Sequence, residues 1–594
     1  MKSLIKSLLI ILPREDLLRM IVSSSLLIFV AFAEVVGLGL ISFLLINIQQ
    51  LYESIILLPL VPGAVNYFNL ASENVVYVFF ILVLAYSVSA SIISIFSIRS
   101  ISVSSQLIGS RLRARVLKHF LHSDWMEISK VQSSEKISNL INDGRQVGFM
   151  VSFCLHLCSR LALASLIVIG LLLYNFTLTV IMVFVLLTVY GLIFFILQPS
   201  IYKNGADGAK QLSISLKILT NIFGSLKEIM FYGVQDKFLQ DYKDADSSLA
   251  WAEGGNVYLS QIPRFLIDSI ILILLVLGVL YLYGQGNNDI LFFGTISVYG
   301  LASLKLLPAF QNIYYFYHEI VARQVQLKNI LEISILINDT KPESRQELGD
   351  SISNEIAFKN VSFKYAEGDQ STLKNININI SYGKNIAIIG PSGSGKSTFV
   401  DLLLGFLDPM NGEILIDNNV LSSKNKQSIR ESFAYVPQKV YLIEDTLREN
   451  IIFGSSDSRN QDVDLNESIV RSQLKSVVEK LPDGLDTVLS ESNQHVSGGE
   501  KQSIGIARAS LKKANILILD EATNAMDHEL EAATMDYLLN HSSFKTVICI
   551  THKPALLKYF DEIYVFDAGE ITASGTYEEI ISNNSFLTAM MKDS

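Results

Sequence analysis

Gly390-Pro391-Ser392-Gly393-Ser394-Gly395-Lys396-Ser397-Thr398 decides how the chain is read. The apolar run Ile386–Ile389 before it is short enough for a buried strand, and residues 399–404 after it read as a helix. Two glycines separated by four residues, followed by Lys and Ser between a strand and a helix, form a phosphate-binding loop. Glycine lets the backbone turn its N–H groups inward onto an anion, and the helix behind contributes the positive end of its dipole. Lys396 is expected to reach the β- and γ-phosphates of a nucleotide, with the Ser397 hydroxyl on Mg²⁺. Gly390, Ser392, Gly393, Ser394, Gly395 and Thr398 complete the candidate nucleotide cradle. A plain glycine-rich turn does not need all nine residues in this order.

The composition says where such a site works. The chain has 594 residues, enough for several domains. Its mean hydropathy of +0.38 and charged fraction of 18% are too apolar for a soluble nucleotide-hydrolysing enzyme. A net charge of −10 with no basic face excludes a nucleic-acid partner from the reading. Three cysteines make no disulfide framework. Cys154 and Cys158, four apart in an apolar helix, read as small buried hydrophobes.

Bilayer spans of about 20 mostly apolar residues are expected near 17–48, 75–104, 149–174, 177–198, 258–284 and 289–322. Pro13-Arg14-Glu15-Asp16 interrupts the first apolar run, so residues 3–12 read as an amphipathic surface segment and not as a cleaved signal. The stretch 49–74 carries no Lys or Arg, whereas 105–148 and 199–257 are rich in both. The positive-inside rule therefore puts the two long loops and both termini in the cytosol. Apolar residues recur at helical spacing through 111–120 and 213–232, so the membrane helices are expected to continue into the cytoplasm. At the loop tips, 122–126 and 227–232 each set aromatic residues among charges, as a docking surface or an ordinary bend would.

Past residue 330 the texture changes. Asn338-Asp339-Thr340-Lys341-Pro342-Glu343-Ser344 is polar and proline-marked. The expected division is a membrane domain at 1–335, a linker at 336–352 and an α/β domain at 353–594.

Within the last domain, Ile516-Leu517-Ile518-Leu519-Asp520-Glu521 reads as a buried strand ending in two carboxylates. Asp520 is the expected Mg²⁺ ligand and Glu521 the base for the attacking water. His552 follows another apolar strand and is a candidate for the γ-phosphate. Tyr365 is a candidate for stacking on adenine, and Gln438 for contact with Mg²⁺ and the attacking water. Val496-Ser497-Gly498-Gly499-Glu500 opens a helix and offers a second anion cradle that one phosphate loop cannot share. Two copies placed head to tail solve this, each cradle closing on the nucleotide held by the other.

With these motifs the chain resembles an ATP-binding cassette (ABC) half-transporter over essentially its whole length. The resemblance implies six transmembrane helices of the type IV exporter fold, then an α/β cassette, in a homodimer with ATP and Mg²⁺. It also implies the bacterial cytoplasmic (inner) membrane, with the cassette cytosolic. It assigns Tyr365 to the A-loop, Gly390 to Thr398 to Walker A, Gln438 to the Q-loop and Ser497 to Gly499 to the signature. Asp520 and Glu521 match Walker B, Asp527 the D-loop and His552 the switch histidine. Thr446-Leu447-Arg448-Glu449-Asn450-Ile451 resembles exporter cassettes, and the two aromatic tips would be coupling helices. Glu500 stands in place of the usual glutamine, an extra carboxylate near the γ-phosphate's entry, and Ser503 in place of the usual arginine.

Among exporters, no fused cysteine peptidase is expected ahead of the first span. Arg14-Glu15-Asp16, Glu34, Pro263-Arg264 with Asp268, Leu306-Leu307-Pro308 and Tyr317-His318-Glu319 are similar to the lipid-linked oligosaccharide flippases of bacterial protein N-glycosylation. That resemblance implies a polyprenyl-pyrophosphate-linked glycan as substrate. The alternatives are a peptide or multidrug exporter, and a regulatory or channel-like cassette protein. Arg264 and Lys305, with Glu34, are candidate substrate residues, since ionisable groups within spans usually face a cavity or a partner. The competing reading pairs Arg264 with Asp268 one turn later.

Overall fold

The computed structural model describes residues 14–46, 53, 55, 72–130, 136–284, 290–339, 352, 354–365, 371–422, 425–454, 461–489, 496–512 and 514–583. The expected surface segment 3–12, most of the stretch 49–74 and most of the polar run after residue 338 lie outside them. The chain divides into two compact units, 1–123 with 127–341 and 124–126 with 342–594.

The first unit is helical: α1 (Arg14–Ile46), α2 (Ser72–His122), α3 (Trp125–Lys130, whose first two residues belong to the second unit), α4 (Gly144–Tyr174), α5 (Phe176–Gly224), α6 (Leu226–Tyr232), α7 (Gln235–Gly284), α8 (Ile290–Ala322) and α9 (Gln324–Asp339). Long helices cover all six expected span positions. Among the described residues, four stretches are long and apolar enough to cross a membrane: Leu18–Ile41, Asn74–His122, Leu140–Tyr174 and Phe176–Gly224. Their apolar side chains largely face outward, as Phe184, Phe195 and Leu173 do. Continuous helices satisfy every backbone group internally, which lipid demands. α2, α5 and α7 run far beyond the bilayer length: 111–120 lies within α2 as expected, whereas the stretch 213–232 is broken at Ser225 into the end of α5 and the separate α6.

Helix ends follow local chemistry. Asn175 breaks α4 from α5, and its side chain accepts the Leu178 N–H at 3.1 Å. Leu27, Ile101, Ile108, Val147, Met150, Ile320 and Ile330 form a core that draws on α1, α2, α4, α8 and α9. The tips of the long loops are short helices: α3, and α6 with Phe231 and Tyr232 exposed.

The second unit holds two main sheets. Strands β1 (Glu355–Phe363), β2 (Leu373–Ser381), β4 (Asn411–Ile416) and β5 (Asn419–Val420) form the smaller, in the order β2-β1-β4-β5. β3 (Ile386–Ile389), β6 (Phe433–Val436), β9 (Ile516–Asp520), β10 (Thr546–Ile550), β11 (Glu562–Asp567) and β12 (Glu570–Gly575) form the larger, in the order β12-β11-β3-β10-β9-β6. β7 (Asp445–Thr446) pairs separately with β8 (Val488–Leu489). β3, β9 and β10 are buried at every residue, as their unbroken apolar runs predict for parallel strands covered on both faces. Helix α10 (Lys396–Leu403) buries Phe399, Val400, Leu402 and Leu403 against the sheet. Within this unit the Trp125 ring lies 6.1 Å from that of Phe406.

Candidate active site

β6, β9, β10 and β3 are adjacent and parallel, so their C-terminal ends share one edge of the sheet. In open α/β sheets that edge is where ligands bind. β3 ends at the loop 390–395, β9 at Asp520, β10 two residues before His552, and β6 two before Gln438. Four stretches far apart in sequence thus meet through the sheet alone.

The phosphate loop needs its glycines. Gly390 has φ +150°, and a Cβ there would lie 2.0 Å from the Phe566 carbonyl oxygen. Gly395 has φ +103°, with Leu373 and Thr372 filling the space of a side chain. Lys396 is buried, and its Nζ donates to the Gly390 and Pro391 carbonyls, both at 2.9 Å. Burial lowers its pKa, opposed by the charges of Glu521 and Asp520. Ser392, Gly393 and Ser397 are exposed at the loop's surface, whereas Ser394 and Thr398 are buried. The Tyr365 hydroxyl lies 3.3 Å from Thr398 Oγ1, and its ring packs edge-on against Phe363.

Glu521 is the best-held carboxylate of the site. Its Oε1 lies 2.9 Å from His552 Nε2, and its Oε2 accepts from Gln438 Nε2 at 2.7 Å and Asn524 Nδ2 at 2.9 Å. Its backbone has φ +51°, a strained region for a non-glycine residue, while its N–H still donates to Ile550 O. The chain turns sharply off the sheet there and leaves the carboxylate among three side chains from β6, β10 and its own turn. Asp520, immediately before, is buried, and its pKa is pushed up to about 6 by burial first, then by the charges of Glu521 and Asp401. The Tyr435 hydroxyl hydrogen-bonds it and Lys396 opposes the rise.

The donor set fits Mg²⁺. A carboxylate, a hydroxyl and a carboxamide (Asp520, Ser397, Gln438) are hard oxygen ligands, and Mg²⁺ usually takes one or two protein groups beside phosphates and water. Among the described residues no cluster of three His, Cys, Asp or Glu could hold a metal by itself, so the nucleotide's own phosphates would have to complete the site.

Ser497, Gly498 and Gly499 are not brought to this site. Among the described residues none of the three hydrogen-bonds the loop 390–398. Ser497 caps helix α11 (Gly498–Leu511), and the packing of Gly499 against the Ala525 carbonyl leaves 2.7 Å for a Cβ. Glu500 does not extend toward a phosphate entry: its carboxylate turns back and accepts the Ser497 N–H at 2.6 Å. Asp527 caps helix α12 (His528–Asp536) by accepting the Leu530 N–H at 2.8 Å, so its carboxylate is engaged locally.

Sequence reasoning missed Asn524, Tyr435 and Gln502. Gln502 donates to Glu521 O at 3.4 Å and accepts the Ala525 N–H at 2.9 Å, tying the helix after Ser497 to the turn after Glu521. A glutamine on the buried face of α11 was the available signal.

In the membrane unit, Lys305 Nζ lies 3.4 Å from Glu34 Oε2. Arg264 does not pair with Asp268. Asp268 accepts from Gln311 Nε2 at 2.7 Å, and Arg264 is exposed with no ion-pair partner among the described residues. An arginine N-terminal to its acid at i,i+4 is the poorer orientation, and a carboxamide on the facing helix takes the carboxylate instead. The expected two-residue cationic patch is therefore reduced to Arg264, since Lys305 is neutralised.

Comparison with known proteins defines the class. Residues 373–524 match the ABC transporter family and residues 36–250 the ABC transporter transmembrane region. The chain thus joins a segment that matches the ABC transporter transmembrane region to one that matches the ABC transporter family. The chain is similar to the ATP-dependent lipid A-core flippases of Alkalilimnicola ehrlichii (35% identity, 48% of each chain) and Haemophilus influenzae strain Rd (38%, 39% of each chain). It thus spans about half the length of these relatives. The flippase of Aliivibrio fischeri matches at 27% identity over 80% of this chain and 81% of its own. The fold is that of a bacterial Atm1-family ABC exporter solved with ATP bound (TM-score 0.79, 20% identity, 98% of this chain and 99% of that one).

Proposed function

We propose that two copies of this chain, in the bacterial cytoplasmic membrane with cassettes in the cytosol, hydrolyse ATP to carry an amphipathic, lipid-linked substrate from the cytoplasmic to the outer leaflet. The observation that carries the reading is the triple hold on Glu521 by His552, Gln438 and Asn524. A carboxylate fixed at the mouth of a phosphate loop is positioned to take a proton from water as it attacks the γ-phosphate. Lys396 and the amides of 390–395 would hold the phosphates, and Tyr365 the base. Asp520, Ser397 and Gln438 would hold Mg²⁺, which supplies charge neutralisation. A regulatory protein that binds nucleotide without turnover has no need of so well-oriented a base.

Ser497–Gly499 stand apart from the loop of their own chain, which supports composite sites between two copies. All six long helices are read as spans, including α7 and α8. For the cargo, the relatives named as lipid A-core flippases and the resemblance to lipid-linked oligosaccharide flippases both favour a lipid-anchored substrate. Arg264, exposed within an expected span and without an ion-pair partner among the described residues, supports an anionic head, since guanidinium binds phosphate bidentately. The finer reading is a polyprenyl-pyrophosphate-linked oligosaccharide. Reconstitution in proteoliposomes tests it: ATP should drive such a lipid across the bilayer and the lipid should stimulate ATP hydrolysis. Stimulation by peptides or drugs instead would replace the reading.

A further inference from the structure

Helices of the first unit line a partly open cavity of about 270 Å³, with both polar and apolar walls, remote in sequence from the cassette motifs. Its polar groups fall into two sets. The first is closed on itself. Arg323 Nε donates to Gln146 Oε1 at 2.8 Å, and its NH1 donates to the Glu319 carbonyl at 3.1 Å and pairs with the Glu319 carboxylate. The Arg323 charge is thus balanced by the Glu319 carboxylate.

The second set consists of acceptors without donors. Gln326 is only 8% exposed, and its Oε1 has no hydrogen-bond partner among the described residues. Asn256 Oδ1 is likewise buried and unpartnered. Glu253 lines the same cavity, exposed, with no ion-pair partner among the described residues. An unmet buried acceptor costs about 1–3 kcal/mol, so two in one cavity call for a donor. The surroundings are otherwise tightly packed: a Cβ at Gly205 would lie 2.1 Å from the Ala322 carbonyl, and one at Gly255 2.6 Å from Asn204 Nδ2. Close packing on those faces marks the opening as a built feature. Glu253 and Glu319 against Arg323 leave the lining one negative charge in excess.

We propose that this cavity binds a small organic cation of the primary-ammonium class. Its N–H groups meet Gln326 Oε1 and Asn256 Oδ1, and its charge faces Glu253. The volume equals about nine waters, room for a short aliphatic amine. The ammonium can be a free cytosolic amine or the amino head of a lipid.

The test uses the full chain in nanodiscs of phosphatidylcholine, titrated calorimetrically with 1,4-diaminobutane. Saturable binding is expected, weakened at least tenfold in Glu253→Gln and in Gln326→Leu, and not competed by tetramethylammonium, which has the charge but no N–H. Loss of diamine binding in phosphatidylethanolamine nanodiscs supports the site and assigns it to the lipid head; unchanged binding there supports it and assigns it to the free amine. Absence of saturable binding in phosphatidylcholine means the cavity holds water only and overturns the proposal. So does equal binding by Glu253→Gln, a substitution at an exposed position, or competition by tetramethylammonium.

Discussion

Glu500 and Ser497 close a reciprocal cap at the start of α11: the Glu500 carboxylate accepts the Ser497 N–H at 2.6 Å, and Ser497 Oγ accepts the Glu500 N–H at 3.3 Å. The carboxylate at the usual glutamine position therefore serves its own helix, where the dipole also favours it. Glu500→Ala should lower stability by about 1 kcal/mol. Glu500→Gln, which keeps an acceptor in place, should cost less. Urea unfolding of the purified protein measures both, and equal losses would break the argument.

Asp520 gives a pH dependence with a definite sign. Its pKa rises from 3.8 to about 6 in the folded chain, mainly through burial. The folded state thus binds the proton more tightly, and the ionised carboxylate weakens the nucleotide-free fold above about pH 6. That penalty fades as pH falls from 6 toward 4. At pH 8 it amounts to up to roughly 3 kcal/mol. Asp520→Asn should therefore raise the thermal midpoint of nucleotide-free protein at pH 8 and lose that advantage near pH 4. Mg²⁺ binding needs the ionised form, so Mg²⁺ affinity of the wild type should fall below pH 6. A midpoint difference that does not change with pH would contradict the assignment.

Much of the cassette was legible because its chemistry dictates residue types at set spacings. The loop around Lys396 and the Asp520-Glu521 strand end could be read directly. Contacts between distant segments could not. Asn524 is one polar residue among many until the turn with φ +51° at Glu521 folds it back onto the carboxylate. Arg264 and Asp268 carried a local rule that a facing helix overrode through Gln311. Glu34 was a candidate partner for either Arg264 or Lys305, and the packing of α1 against α8 decides for Lys305. Both exposed tips were visible as aromatic clusters, yet their helical form rests on caps such as Gly233 at φ +67°.

Composite sites predict an intermolecular contact. In a background lacking Cys154 and Cys158, cysteines introduced by Ser392→Cys and Ser497→Cys should crosslink between chains when ATP is added. Both positions are exposed in the single chain. Dimers on a non-reducing gel are the expected result, and crosslinks within one chain would refute the arrangement.

Arg264 predicts a division between transport and chemistry. Arg264→Ala should cut flipping of a pyrophosphate-linked lipid several-fold in proteoliposomes while basal ATP hydrolysis persists. Lys305→Ala should have the smaller effect on flipping, because Glu34 already neutralises it. Intact flipping in Arg264→Ala would remove the arginine from the substrate path.

The central claim is that Glu521 activates water for ATP hydrolysis. Replacing it with Gln keeps size and hydrogen bonding but removes the base, a loss of roughly 10²–10⁴ in rate. Steady-state ATP turnover by purified Glu521→Gln, measured alongside nucleotide binding, is the direct test. The account predicts turnover reduced at least a hundredfold with ATP binding retained; near-normal turnover would contradict it.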